Sequence, residues 1–216
     1  MAPQLILPLE PVTRMAREDF IVAPANARVL AFLDAWPDWP APAAVLWGPA
    51  ASGKTHLAHI WAARAGALVM AARDLRAIPE GPVVVEECDC DAAGGHEAFL
   101  FAILERGAPL LLTGRRDPRT WPSRLPDLGS RFRALLALGL GEADEGLLMA
   151  LAVKLFADRQ LTVPQAAIIQ LVRRLERSPA AIRNFIARAD GEALSRHKPV
   201  NLQLIKELMA QERLSS

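Results

Sequence analysis

The chain has 216 residues, of which 52% are hydrophobic and 23% charged, so it can bury a sizeable core and is not globally disordered. Its 25 basic and 24 acidic side chains leave a net charge of +1, which argues against DNA binding through bulk neutralisation of phosphates. With Cys88 and Cys90 as the two cysteines, we expect no disulfide framework and a reducing compartment. The sequence shows no cationic leader and no apolar run of the roughly 18 residues that span a bilayer, so we expect a cytoplasmic protein without a membrane partner.

The first two thirds of the sequence alternate between predicted strands and helices. Prolines at positions 3, 8 and 11 oppose a helix and predict an extended arm over residues 1–19. Helices are predicted over 24–36, from the Gly-rich turn to about Arg64, and over 96–106. Short apolar runs predict strands over 43–47, 68–70, 83–85, 110–113 and 134–138. This alternation is typical of a parallel sheet covered by helices on both faces.

After about residue 140 the pattern predicts helices alone, near 142–159, 164–176, 179–195 and 201–213. Pro164 and Pro179 stand where first-turn prolines occur, and Asn201 can cap the last helix. We therefore predict three segments: an arm over 1–19, an α/β domain over 20–140 and an all-α domain over 141–216.

Residues 48–55 read GPAASGKT and match the pattern G-x-x-x-x-G-K-[ST] of a phosphate-binding loop in full. Gly48 and Gly53 let consecutive backbone N–H groups wrap a phosphate, Lys54 supplies a positive charge, and Thr55 can ligate Mg²⁺. The predicted strand before the loop and the helix after it are the context that this motif needs. We expect ADP or ATP with Mg²⁺, held by Gly48, Pro49, Ala50, Ala51, Ser52, Gly53, Lys54 and Thr55.

A pair of carboxylates follows the third predicted strand, in the run Val83-Val-Val-Glu86-Glu87. Glu86 would hold Mg²⁺ through water, and Glu87 would orient or deprotonate an attacking water. The usual first residue of such a pair is Asp, so the longer Glu86 side chain puts the metal geometry and hydrolysis by this chain in question. The alternative is a strand end with two solvated acids.

Several segments resemble DnaA-type replication initiators, which are AAA+ P-loop proteins. They include Gly53–Leu57, Phe20–Val22 with Asn26, Leu111–Arg115 and Leu125–Phe132. The resemblance implies the AAA+ fold, in which a parallel sheet flanked by helices is followed by a small all-α lid domain. It also implies that Phe20, Val22 and Asn26 flank the adenine and that His56 belongs to the nucleotide-binding loop. The alternative for His56 is a role in packing or exposure to solvent.

The same resemblance implies further site residues. Thr113 would be sensor 1, which monitors the γ-phosphate, and Arg131 would be the arginine finger. Arg183 is the candidate for sensor 2 on a lid helix, although ungapped comparison places Ala180 or Ala181 at that position. The other arginines between 115 and 133 have two equally favoured interpretations. They belong to a solvated loop, or they face a partner's nucleotide or acidic surface.

Two features separate this chain from an initiator. It stops at Ser216, so we expect no C-terminal helix-turn-helix domain. Residues 4–9 read QLILPL and resemble the hexapeptide that docks bacterial proteins onto the sliding clamp. Pro8 keeps this segment extended, Gln4 can form hydrogen bonds, and Leu5, Leu7 and Leu9 can enter apolar pockets. An edge strand or a collapsed tail is the alternative.

Together the resemblances imply a DnaA-homologous regulator that, with the DNA-loaded sliding clamp, stimulates ATP hydrolysis by the initiator DnaA and prevents re-initiation. Its own ATPase activity would be weak or absent, and it would reach DNA only through the clamp. The sequence leaves open whether the chain forms a homo-oligomer. The main alternative is a helicase-loader-type AAA+ ATPase. A P-loop small-molecule kinase and a truncated initiator are further alternatives. Separately, the spacing of Cys88, Cys90 and His96 does not match that of a structural zinc site.

Overall fold

The computed structural model describes residues 15–90, 96–176, 178–196 and 200–212. Five strands form one parallel sheet: β1 (Ala43–Trp47), β2 (Leu68–Ala71), β3 (Val83–Glu86), β4 (Leu110–Gly114) and β5 (Leu136–Gly139). Their order across the sheet is β2-β3-β4-β1-β5. The α-helices are α1 (Pro24–Asp34), α2 (Lys54–Ala65), α3 (Glu97–Arg106), α4 (Pro126–Ala134), α5 (Glu145–Asp158), α6 (Gln165–Arg174), α7 (Pro179–Arg196) and α8 (Leu202–Glu212). The predicted parallel α/β sheet is confirmed.

Alternation along the central strands sends side chains to two separate cores. Leu46, Val84 and Leu111 pack with α1 and α2 on one face of the sheet. Val45 and Leu112, one residue along the same strands, pack on the other face with α3 and α4. Because both faces are buried, the strands read as continuous apolar runs, as expected of a parallel sheet.

Helix α4 is an element that the sequence patterns did not predict. Pro126 occupies its first turn, where a missing N–H costs nothing. Leu128 and Phe132, four residues apart, are buried in the second core, and the Phe132 ring meets Trp121 edge-on at a centroid distance of 5.0 Å. Since α4 ends at Ala134, β5 begins at Leu136, and the predicted strand start at residue 134 is wrong by two residues.

The four helices predicted after residue 140 are confirmed as α5 to α8, and they share a core of their own. The Asn201 side chain accepts the Leu204 N–H at 2.9 Å, which confirms the predicted cap of α8. Asp144 caps α5 in the same way through the Leu147 N–H at 2.7 Å. The division into domains at about residue 140 stays a prediction.

The end of the predicted extended arm differs from expectation. Arg17–Asp19 form one 3₁₀ turn, and Asp19 forms an ion pair with Lys154 of α5 at 3.1 Å. The Ile21 side chain also packs against the helical core. The segment therefore joins the α5–α8 core to the loop side of the sheet, and the prediction of extended chain is wrong for these three residues.

Within the described ranges, no helix combines the length and apolar character needed to cross a membrane.

The burial of Phe132 predicts a large loss of stability on truncation. Its ring is 2% exposed, so Phe132→Ala should lower the free energy of unfolding in urea by about 3–5 kcal/mol through lost burial and the cavity left behind. Val153→Ala, at a residue of α5 that is 52% exposed, is the matched control and should change it by less than about 0.5 kcal/mol. Equal losses from the two variants would contradict the assigned core.

Candidate nucleotide-binding site

The phosphate-binding motif forms the loop between β1 and α2, and its first glycine lies between two neighbouring strands. The Gly48 N–H donates to the Gly114 carbonyl of β4 at 3.2 Å. A Cβ on residue 48 would lie 2.2 Å from the Leu140 carbonyl oxygen, and its φ is +153°. Only glycine fits there. Gly53, with φ +96°, is the N-cap of α2, so the helix begins at Lys54 with its N–H groups turned towards the loop.

The Lys54 ammonium lies within the curve of the loop. It donates to the carbonyl oxygens of Gly48 at 2.8 Å and Pro49 at 2.6 Å. The Ser52 hydroxyl accepts from the same ammonium at 3.2 Å. Burial, and then the charge of Arg115, lower the pKa of Lys54. The loop therefore holds one positive charge against oxygens that a phosphate group could replace.

A cavity of about 670 Å³ opens beside the loop at the carboxyl ends of β3 and β4. It is lined by Ala50, Ala51, Lys54, Thr55, Glu86, Glu87, Asp89, Cys90, Thr113, Gly114, Arg115 and Arg116. Parallel strands end at the same edge of a sheet, and ligands of open α/β sheets bind there. The structure thus brings together the lysine, the two carboxylates and the two threonines that the sequence assigned to one site.

The two carboxylates differ in their surroundings. One oxygen of Glu86, Oε1, is buried and has no hydrogen-bond partner among the described residues. Glu87 has a left-handed backbone, with φ +59°, and its side chain forms an ion pair with Arg73 at 2.6 Å. The Thr113 hydroxyl is buried and accepts the Glu87 N–H at 3.3 Å. Thr113 therefore also fixes the backbone turn that carries Glu87.

Glu86 and Thr55 offer oxygen atoms, which are the ligands that the predicted Mg²⁺ prefers. Both line the cavity with oxygen donors, and the buried Glu86 oxygen lacks a partner. Mg²⁺ is commonly held by one or two protein oxygens together with waters and substrate phosphates. In the described part of the chain, no group of three or more His, Cys, Asp or Glu residues could hold a metal by itself. A metal here would thus depend on the nucleotide.

Asp89 is a residue of this site that the sequence reasoning missed. Its Oδ2 accepts the backbone N–H of Arg115 at 2.8 Å and of Arg116 at 3.1 Å, and its side chain is 9% exposed. It therefore caps the turn that leaves β4. The sequence shows an acid two residues after the carboxylate pair. It does not show that this acid accepts hydrogen bonds from residues 26 and 27 positions further along the chain.

The residues assigned to the adenine lie next to the loop. Phe20 meets the His56 ring edge-on at 5.2 Å and contacts the position of a Cβ on Gly53 at 3.5 Å. The Asn26 side chain accepts the Ala23 N–H at 2.9 Å and donates to the Ile21 carbonyl at 3.0 Å. Asn26 therefore braces the segment that carries Phe20 and Val22, and Val22 is exposed.

His56 itself is buried, and its Nε2 lies 2.9 Å from the Ala16 carbonyl oxygen. Burial lowers the pKa of His56, and the charge of Arg183 lowers it further. These contacts are those of a packed histidine, the alternative that the sequence left open. A role of His56 in nucleotide binding stays a prediction.

Arg183 lies on α7, close enough to His56 for its charge to affect the pKa of that histidine. Its guanidinium is partly buried and forms no hydrogen bond or ion pair with a described residue, and burial lowers its pKa. A second cavity, of about 1120 Å³, separates the loop at Ala50 and Ala51 from α6, α7 and α8. Ala180, Ala181, Arg173, Arg174 and Arg188 are among its lining residues, whereas Arg183 is not. Sensor 2 at Arg183 stays a prediction.

Arg131 does not line either of these two cavities. It lies on α4, forms an ion pair with Glu105 of α3, and keeps 50% of its side chain exposed. Neighbouring arginines also have local partners: Arg119 pairs with Asp117 at 2.6 Å and lowers the pKa of Asp117 to about 2. Arg133 donates to the Ser130 hydroxyl at 2.9 Å.

The two cysteines have unrelated surroundings. Cys88 is buried, donates to the Val85 carbonyl at 3.2 Å, and has a pKa raised well above its usual value by burial. The Cys90 sulfur lies 3.7 Å from His96 Nε2. Residues 4–9, with the clamp-binding residues Gln4, Leu5, Leu7, Pro8 and Leu9, lie outside the described part of the chain.

The sheet order and the loop after β1 are those of an AAA+ P-loop fold, and several solved structures have a similar fold. Domain III of the Thermotoga maritima replication initiation protein DnaA matches with a TM-score of 0.76 and 17% identity, over 91% of this chain and 96% of that chain. AMPPCP-bound DnaA from Aquifex aeolicus matches with a TM-score of 0.73 and 14% identity, over 93% and 70%.

The Thermotoga maritima RuvB Holliday junction branch migration motor is similar as well, with a TM-score of 0.71 and 19% identity over 91% of this chain and 71% of that chain. No protein-family profile matches the chain. No curated protein matches it in sequence. The chain therefore has an AAA+ fold of the kind seen in DnaA and RuvB.

The packing at Gly48 predicts that a single methyl group disrupts the site. Gly48→Ala places a Cβ against the Leu140 carbonyl, so we expect a loss of more than about 1 kcal/mol in unfolding free energy and loss of ATP binding in calorimetry. Gly191→Ala is the control, since its Cβ meets nothing within 4 Å in helix α7, and it should be neutral or stabilising by about 0.5–1 kcal/mol. Normal ATP binding by Gly48→Ala would contradict this geometry.

Proposed function

We propose that this chain is a regulator of replication initiation similar to Hda, the DnaA-homologous protein that acts with the sliding clamp. In this proposal the clamp-bound chain approaches a DnaA molecule that holds ATP and stimulates hydrolysis of that ATP. Water attacks the γ-phosphorus, the bond from that phosphorus to the β-phosphate oxygen breaks, and ADP and inorganic phosphate are released. The chain lowers the barrier to this reaction, and DnaA holds the substrate.

The observation that carries the proposal is the position of Arg131. This arginine is half exposed on α4 and is absent from the lining of both cavities next to its own loop. A guanidinium in that place can reach a nucleotide bound by another molecule if it leaves its surface partner, Glu105. Because it stays charged and presents a fork of N–H donors, it suits the charge that develops on the phosphate oxygens.

The chain's own site would serve mainly to bind nucleotide and set the shape of the docking surface. Lys54, Thr55 and Thr113 line one cavity, which supports binding of ADP or ATP with Mg²⁺. Glu87 is held by Arg73, and Glu86 stands where Asp is usual, and both features favour weak hydrolysis by this chain. Phe20, Val22 and Asn26 would flank the adenine.

The proposed clamp partner rests on the sequence of residues 4–9. The segment Gln-Leu-Ile-Leu-Pro-Leu offers alternating apolar side chains in an extended, proline-containing peptide. A nearly neutral chain would gain access to DNA through the clamp without a basic surface of its own. We further propose a cytoplasmic location and the division into arm, α/β domain and lid given above.

Replacing the proposed arginine finger should abolish stimulation while leaving nucleotide binding intact. Arginine fingers contribute about 10³–10⁵ in rate, so Arg131→Ala should lower DnaA-dependent ATP hydrolysis, measured with loaded clamp, to near the rate without the chain. Arg133→Ala, on the same helix, is the matched control and should keep nearly full stimulation. Glu105→Gln, which removes the partner of Arg131 without removing the arginine, should also retain it. Full stimulation by Arg131→Ala would contradict the mechanism.

Clamp binding should depend on the N-terminal hexapeptide. The double substitution Leu7→Ala and Leu9→Ala removes two apolar anchors and should weaken binding to purified sliding clamp at least about 10-fold in calorimetry, as loss of hot-spot contacts does. Val12→Ala, just beyond the motif, is the control and should bind normally. Unchanged binding by the double variant, or binding to replicative helicase in place of the clamp, would favour the helicase-loader alternative.

A further inference from the structure

Arg115 leaves the sheet directly beside the phosphate-binding loop. The preceding residue, Gly114, pairs with Trp47 at the end of β1, and its carbonyl accepts the Gly48 N–H at 3.2 Å. The first residue of the loop and the residue before Arg115 are thus hydrogen-bonded neighbours. This hydrogen bond fixes the start of the turn next to the loop.

The turn that carries Arg115 is fixed from two sides. Asp89, nearly buried, accepts the backbone N–H groups of Arg115 and Arg116. On the other side, Trp121 donates to the Arg116 carbonyl at 2.7 Å and packs so tightly that a Cβ on Gly114 would lie 2.5 Å from its ring. The backbone direction at Arg115 is therefore set by the fold before a ligand binds.

The Arg115 side chain differs from its neighbours because it is not paired. Its guanidinium is exposed and forms no hydrogen bond or ion pair with any described residue, although it lines the cavity beside the loop. By contrast, Arg116 pairs with Asp89 at 3.8 Å, and Arg119 pairs with Asp117. The Lys54 ammonium lines the same cavity, so two cations share one space.

We propose that Arg115 binds the terminal phosphate of a nucleoside triphosphate held in this chain's own site, and so makes the site prefer a triphosphate to a diphosphate. The inference rests on the proposed nucleotide-binding function of the loop. Glu86, Glu87 and Thr113 line the same cavity as Arg115. Their predicted roles, at the metal ion and the attacked γ-phosphate, put the terminal phosphate in this cavity in the proposal. A guanidinium there can bind two phosphate oxygens at once, which a lysine cannot do with the same geometry.

This assignment separates two arginines by the nucleotide that each serves. Arg115 acts within its own chain on the nucleotide that this chain binds, whereas Arg131 acts on the nucleotide of a partner. Loss of the γ-phosphate would remove the contact of Arg115 and leave the contacts of the loop with the remaining phosphates.

The test is the binding of AMPPCP and of ADP, each with Mg²⁺, to the full chain in calorimetry. Charge-assisted hydrogen bonds predict that Arg115→Gln weakens AMPPCP binding by about 10- to 100-fold and ADP binding by less than about 3-fold. Arg115→Lys, which keeps the charge without the fork, should lose part of the AMPPCP affinity. Arg119→Gln is the control in the same segment, paired outside the cavity, and should bind both nucleotides normally.

Each outcome decides the inference. A selective loss of AMPPCP affinity, with thermal unfolding unchanged, supports it. Equal losses for AMPPCP and ADP, or no loss for either, overturn it while leaving the proposed nucleotide site intact. If the unaltered chain bound neither nucleotide, the proposed site would fail together with this inference, although the role of Arg131 would still be open to its own test on DnaA.

Discussion

The position of the phosphate-binding loop depends on how closely β4, β1 and β5 approach one another where β1 ends. Gly48 donates to the carbonyl of Gly114 on β4 and leaves no room for a side chain against the carbonyl of Leu140, the residue after β5. That contact fixes the loop relative to the strand that carries Thr113 and to the turn that carries Arg115. Burial of both sheet faces holds the three strands at this spacing, so the hydrophobic cores and the geometry of the site depend on each other.

The charges of the site follow from this arrangement. Lys54 is held by loop carbonyls, Glu87 by Arg73, and Asp89 by backbone amides, so most charged groups have a local partner. Of the charged groups that line the cavity beside the loop, two lack a partner among the described residues: the buried oxygen of Glu86 and the guanidinium of Arg115. An unpaired acid oxygen and an unpaired cation around one cavity match the opposite charges of a metal ion and a phosphate chain.

Much of the fold could be predicted from the sequence because its signals are local. Apolar runs, the glycine-rich motif and helix caps such as Asn201 depend on residues a few positions apart. Helix α4 was missed because Leu128 and Phe132 give only two buried positions in nine residues, and its arginines mask the pattern. Asp89 was missed for a different reason: its partners are distant in sequence, and only the folded sheet brings them together. Whether Arg183 faces a nucleotide depends on helix rotation, which spacing alone does not fix.

The proposed function depends on one arginine that serves another molecule, and the most direct measurement is a structure of this chain bound to clamp and to DnaA carrying AMPPCP. The account predicts that the Arg131 guanidinium leaves Glu105 and lies within about 3 Å of a γ-phosphate oxygen of the DnaA-bound nucleotide. A complex in which Arg131 stays paired with Glu105, far from that phosphate, would contradict it.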